Sequence, residues 1–129
     1  MIDTNIFLEV LLARARKEAS KKLLRSLIDG REKGTVTDFT IHSIIVVMDG
    51  LNRLKELRTF LSSLTAYKGL RIYHTNIADE IRAIELTSEA GLDMDDAIQY
   101  ASALSANAEA IVSLDKHFNG LGIPRKEPS

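Results

Sequence analysis

The sequence has no cysteine among its 129 residues. That excludes a disulfide framework, a thiol nucleophile and any zinc site built on thiolates, and it suits a reducing, cytoplasmic setting. No apolar stretch approaches the roughly 20 residues that span a bilayer, so no membrane partner is expected. The chain does not open on a basic segment followed by a cleavable apolar stretch, so no signal peptide is expected. Proline occurs twice, both times in the closing "IPRKEPS", which reads as a short flexible tail over 124–129. Charge of one sign is missing too. The formal net charge is −1, so bulk charge announces no nucleic-acid partner, and only a local basic face would reveal one.

What remains is an ordinary globular chain, 45% apolar and of the commonest size for one domain. It shows no internal repeat, and residues 1–123 read as a single domain. Helical periodicity dominates. "NIFLEVLLARARKEASKKLLRSLID" spaces its apolar residues as one or two amphipathic helices, and Gly30 and Gly34 end it. "TVT" is a short β-branched strand. "DFTIHSIIVVMDGLNRLKELRTFLSSL" is helical, with Thr37 or Asp38 as cap and a break near Asp49–Gly50. "LRIYHT" favours a strand. "NIADEIRAIELTSEAG" runs from a capping Asn76 to a terminating Gly91. "DMDDAIQYASALSANA" is a helix capped by Asp93, and "EAIVSLD" a buried strand. "KHFNGL" reads as a turn or short helix, and a stub near Ile123 as an edge strand. Short strands alternating with helices predict an α/β fold on a parallel sheet covered on both faces. Sites in such folds lie outside the carboxyl ends of the strands.

Acids fall where that rule points. Asp3 follows a very short first strand, Asp115 follows "AIVSL", and Asp95 and Asp96 stand in the first turn of the helix after Asp93. Carboxylates gathered on one edge repel one another unless a cation neutralises them. Mg²⁺ or Mn²⁺ suits such a cluster, and a metal there can generate hydroxide and clamp a phosphodiester. Each acid has a plainer explanation as a helix or turn cap. Basic residues crowd Arg14, Arg16, Lys17, Lys21, Lys22 and Arg25, with a looser group at Arg53, Lys55 and Arg58. They form either a solvated helix surface or a rim that meets phosphates.

Three segments together resemble the PIN domain family, which includes VapC-type toxins. "IDTNIFLEVLL" is similar to the family's opening strand and helix, with Asp3 as first acid beside Thr4 and Asn5. "GLDMDDAIQYASAL" resembles the third acidic segment, where an Asp–Ala pair opens a helix, here Asp96–Ala97. "AEAIVSLDKHF" resembles the fourth, with Asp115 as acid and Ser113 as supporting hydroxyl. The resemblance implies a three-layer α/β/α sandwich with a central parallel sheet of about five short strands. It implies a divalent-metal-dependent ribonuclease using Mg²⁺ or Mn²⁺ on Asp3, Asp96 and Asp115, with RNA as substrate. Homodimerisation and, for a toxin, an antitoxin protein are the implied partners. Arg14, Lys17, Lys21 and Lys22 would then meet RNA backbone.

The family's usual glutamate, in the helix after the second strand, falls here on Ser43, or on His42 if the register slips by one. His42 as a ligand, or Asp38 or Asp95 as substitutes, would make good the loss. Without them the chain would be a degenerate module that binds RNA or a protein without efficient cleavage. A third reading, outside catalysis, is a homodimeric interaction protein whose acids only cap helices. On the nuclease reading Asn5 caps the first helix and frees the Asp3 side chain to face the cleft.

Overall fold

The computed structural model describes all 129 residues. Six α-helices form: α1 (Thr4–Leu11), α2 (Lys17–Asp29), α3 (Asp38–Gly50), α4 (Leu54–Leu64), α5 (Ile77–Ala90) and α6 (Met94–Ser105). The strands are β1 (Gly34–Thr37), β2 (Leu70–Tyr73), β3 (Ile111–Val112) and β4 (Arg125–Lys126), and a 3-10 turn spans Lys116–Phe118. The expected punctuation works as chemistry. Gly30 and Gly91 end α2 and α5 with φ of 79° and 67°, a region that costs glycine nothing. Asn76 and Asp79 exchange side-chain and backbone hydrogen bonds in a capping box at the start of α5, which satisfies two otherwise orphaned donors. The break between α3 and α4 comes slightly later than Asp49–Gly50, at Asn52, whose φ of 56° asparagine tolerates better than most residues.

The sheet is built from two parallel pairs. β1 lies beside β2, with Val36 opposite Ile72, and β3 beside β4, with Ile111 opposite Arg125. The first three residues join them. Ile2 N donates to Thr35 O at 2.8 Å, Val112 N to Met1 O at 2.8 Å, and Asp3 N to Val112 O at 3.0 Å. Ile2 thus bridges Val112 in parallel and stands between β1 and β3. The order is β2, β1, opening segment, β3, β4.

Residues 124–129, expected as a tail, are tied to this sheet. Arg125 and Lys126 form β4, Ser113 N donates to Lys126 O at 2.9 Å, and Pro128 is buried. β4 lies two residues beyond the edge strand expected near Ile123. The physical reason is that β3 would otherwise present an unpaired edge. The two prolines flank the pairing residues rather than occupy them, so they remove no ladder donor.

Apolar side chains divide into two clusters. One draws on Ile2, Ile6, Phe7, Leu27, Val36, Ile44 and Met48; the other on Met1, Ala83, Leu86, Tyr100, Ile111 and Phe118. Adjacent Met1 and Ile2 belong to different clusters, as alternation along a strand requires. The carboxyl end of this doubly packed sheet therefore receives Asp3, Thr37 and Ser113 from three neighbouring segments.

Candidate metal centre

Asp3 is the most heavily wired of the acids. It is 6% exposed, and each of its carboxylate oxygens accepts two hydrogen bonds. Oδ1 accepts from Thr4 N at 2.8 Å and from Gln99 Nε2 at 3.1 Å. Oδ2 accepts from Ser113 Oγ at 2.6 Å and from Asn5 Nδ2 at 3.1 Å. A buried carboxylate needs such donors to stay charged at tolerable cost. Asp3 is itself the N-cap of α1. That corrects the expected division of labour, in which Asn5 would cap. Asn5 lies inside the helix, and its amide spans Asp3 and Ser113 (3.2 Å) while its carbonyl accepts from Leu114 N at 3.3 Å. The reason is spacing: the helix begins at Thr4, so only residue 3 can reach its free N–H groups.

Ser113 extends the wiring to Asp115. Its hydroxyl donates to Asp3 and accepts from Asp115 N at 2.9 Å. Asp115 caps the 3-10 turn by accepting from His117 N at 2.9 Å. His117 folds back over the same acid. Its Nδ1 stands 3.1 Å from Asp115 Oδ1 and 3.2 Å from Asp96 Oδ2, so one imidazole bridges two carboxylates. Oxygen or nitrogen atoms of Asp93, Asp96 and His117 all lie within 4.8 Å of one another. Asp93 has its capping duty, accepting from Asp96 N at 2.9 Å. Asp96 alone caps nothing. It is 9% exposed, and its carboxylate meets only His117.

Burial, and then the charge of Asp115, push the Asp96 carboxyl up to about 6, against the pull of His117; Asp93 and Asp3 add smaller pushes. The bond to Asp96, with Asp115 behind it, raises the imidazole of His117. Both shifts have the same sign in stability. Between about pH 4 and 6 the folded chain holds more protons at Asp96 than the unfolded chain, so stability falls as pH rises. The contribution of His117 is present below its unfolded value and is lost as pH climbs through the raised one. Asp38 and Asp79 run the other way. Burial would raise them, but hydrogen bonds prevail and hold both below the usual carboxylate range, so they matter only in acid. The Met1 ammonium, lowered by burial, works against Asp96 and His117 near neutral pH. Between pH 5 and 7.5 the metal-free wild type should therefore lose more stability than Asp96→Asn; thermal scans of both check this, and equal slopes would contradict the clustering.

The remaining candidates separate. Ser43 is half-buried and donates to Phe39 O at 2.9 Å, one turn back in α3. His42 is exposed and belongs to no cluster of ligating groups. Asp38 is committed to Thr75, accepting from its N at 3.0 Å and its Oγ1 at 2.6 Å. Asp95 is exposed and forms no hydrogen bond with the cluster; the nearby acid that joins it is Asp93. Thr4 contributes both its backbone N–H to Asp3 and a hydroxyl 3.0 Å from Thr40 Oγ1. Arg14, Lys17, Lys21 and Lys22 are all exposed. Lys22 borders a broad open depression, about 1140 Å³, together with Lys33, Lys68, Arg71 and Lys126. None of Asp3, Asp96 and Asp115 borders it.

Two participants carry no sequence motif. His117 lies in the turn segment "KHFNGL", and its two-residue spacing from Asp115 lets it fold back. Gln99 lies inside a helix of small and apolar residues. The available signal was its position three residues after Asp96, on the same helical face, among the small residues of "AIQYASA".

A model of the PIN domain family matches residues 1–123. Comparison with curated proteins returns no significant match. Among solved structures, the fold is similar to a chain in a toxin–antitoxin complex from Klebsiella pneumoniae, with a TM-score of 0.74 and 19% sequence identity over 99% of this chain and 96% of that one.

Proposed function

The chain belongs to the PIN domain family, and on that premise we propose that it is a divalent-metal-dependent ribonuclease centred on Asp3, Asp96 and Asp115. The observation that carries this reading is Asp96. A buried carboxyl with no capping duty, packed among other acids, is hard to explain as structure and easy to explain as a ligand. The donor set fits Mg²⁺ or Mn²⁺, because it is oxygen-rich and carries several negative charges at close quarters. A metal held there would supply Lewis acidity and an activated water for attack on phosphorus.

The chain's own residues do the rest. Ser113 and Asn5 orient Asp3, and Ser113 also holds the backbone of Asp115, so these two acids are tied together, while His117 bridges Asp115 to Asp96. Thr4 braces the start of α1. The basic residues Arg14, Lys17, Lys21 and Lys22 are free of the acid cluster and suit contact with RNA phosphates, which would make binding fall with added salt. A toxin role in a toxin–antitoxin pair draws support from the structural neighbour, and would bring an antitoxin protein as partner in the cytoplasm. The exposed stripe Ile77, Ile81 and Ile84 along α5 suits a second copy in a homodimer. The test is incubation of the purified protein with RNA in Mn²⁺ or Mg²⁺ beside a chelator control. Cleavage that ignores chelation would sink the metal mechanism.

A second reading has its own observations. By the family resemblance Ser43, or His42 one residue earlier, takes the place of the usual glutamate, and Asp3 already accepts four hydrogen bonds. Both favour a degenerate module that binds RNA or protein and cleaves weakly or not at all. Ser43→Glu separates the two. If α3 faces the centre at this register, the added carboxylate raises Mn²⁺ affinity by about tenfold or more, a ligand's share of roughly 1.4 kcal/mol per decade. Titration calorimetry reads it, and unchanged affinity counts against the register.

A further inference from the structure

Gln99 is 2% exposed and makes three hydrogen bonds, each to a different segment. Its Oε1 accepts from Thr37 Oγ1 at 2.8 Å, at the end of β1. Its Nε2 donates to Thr40 Oγ1 at 2.6 Å, in α3, and to Asp3 Oδ1 at 3.1 Å. The direction of this chain is determined by Asp3, whose carboxylate only accepts, so Gln99 turns its Nε2 that way. The second amide N–H meets Thr40 Oγ1, and the carbonyl is left for Thr37. Thr37 Oγ1 accepts from Thr40 N at 2.9 Å and keeps its own proton to donate to Gln99.

Of the four donors on Asp3, Gln99 is the one from α6, the helix that presents Asp96 one turn earlier. The others come from α1 itself and from the segment after β3. We infer that Gln99 is the positioning residue of the centre: through the Thr40–Thr37–Gln99 relay it holds the Asp3 carboxylate in register with Asp96. This rests on the metal reading above and extends it to a residue that touches no reacting atom. Partners of this kind set ligand orientation, and their loss weakens metal binding by about ten- to a hundredfold.

The experiment is Mn²⁺ binding by titration calorimetry, run at a temperature where circular dichroism shows each variant folded. Gln99→Met keeps the volume and removes the donors; it should weaken binding at least tenfold. Thr37→Val touches neither Asp3 nor the other acids, yet it should weaken binding severalfold by releasing the amide, and Thr37→Ser should restore it. The double variant should bind no worse than Gln99→Met alone, since both break one relay. If Gln99→Met fails to fold, the Thr37 pair decides. Wild-type binding matched within twofold by Gln99→Met, or by Thr37→Val, overturns the inference alone. A wild type without Mn²⁺ affinity, indifferent to Asp96→Asn, overturns the metal reading and this inference with it.

Discussion

Asp96→Asn is expected to abolish metal-dependent RNA cleavage and, in the same molecule, to raise the melting temperature of the metal-free protein. The first effect follows from ligand loss. Groups that merely orient a ligand cost about ten- to a hundredfold when removed, so removal of the ligand should cost more than a hundredfold. The second follows from the cluster. Asp96 is buried beside Asp115, Asp93 and Asp3, and its carboxyl is pushed from 3.8 up to about 6. Ionising it at neutral pH opposes folding by up to about 3 kcal/mol. That value already contains the opposing pull of His117, so an asparagine of the same shape should recover up to about 3 kcal/mol, a gain of several degrees at this chain length. Activity and stability would move in opposite directions, as at other sites where function is held against the fold's preference. RNA cleavage by gel and melting by calorimetry, each at pH 7.5 with chelator-treated protein for the melt, read both. A variant that loses activity and also melts lower would make Asp96 a structural residue.

Phe118→Ala should be the most damaging single change near the site. Phe118 is fully buried and packs with Ile111, Tyr100 and their neighbours in the second apolar cluster. Truncating a buried phenylalanine costs about 3–5 kcal/mol, a large share of the 5–15 kcal/mol typical of a domain. The residue also anchors the 3-10 turn that Asp115 caps and His117 belongs to, so the folded fraction should bind Mn²⁺ less tightly. His117→Ala is the contrasting change in the same turn: it removes the bonds to Asp96 and Asp115 but little buried apolar surface, so it should lower the denaturation midpoint far less than Phe118→Ala. Urea unfolding of both proteins makes the comparison. A Phe118→Ala loss under about 1 kcal/mol would mean the turn is not anchored there.

The helices were legible because their signals are local. Apolar spacing marked α1 to α6, and Asn76, Gly30 and Gly91 marked ends that a few neighbouring residues determine. β4 was not legible, because two residues between prolines carry no periodicity; only the open edge of β3 calls for them. The centre was legible in part. The acids at 3, 96 and 115 could be assigned through resemblance, and Ser113 with them; hydrogen bonds join Asp3, Ser113 and Asp115, while Asp96 meets His117 and clusters with Asp93. The replacement of Asn5 by Asp3 as cap turned on a one-residue difference in where a helix starts. Gln99 was invisible for another reason. A buried amide reads as an exception in an apolar helix until Thr37, Thr40 and Asp3 are known to surround it, and those partners lie 59 to 96 residues away.

The opening segment has a consequence for when this chemistry can exist. Ile2 joins Thr35 to Val112, and Asp3 meets Ser113 across 110 residues of chain. Closing so long a loop costs entropy that no neighbouring contact offsets in advance. Residues 1 to 3 therefore find their places only after the segment at 112–113 has been made. Until the chain has been made through Asp115, Asp3 has neither Ser113 beneath it nor a second strand beside it, and the three acids cannot meet.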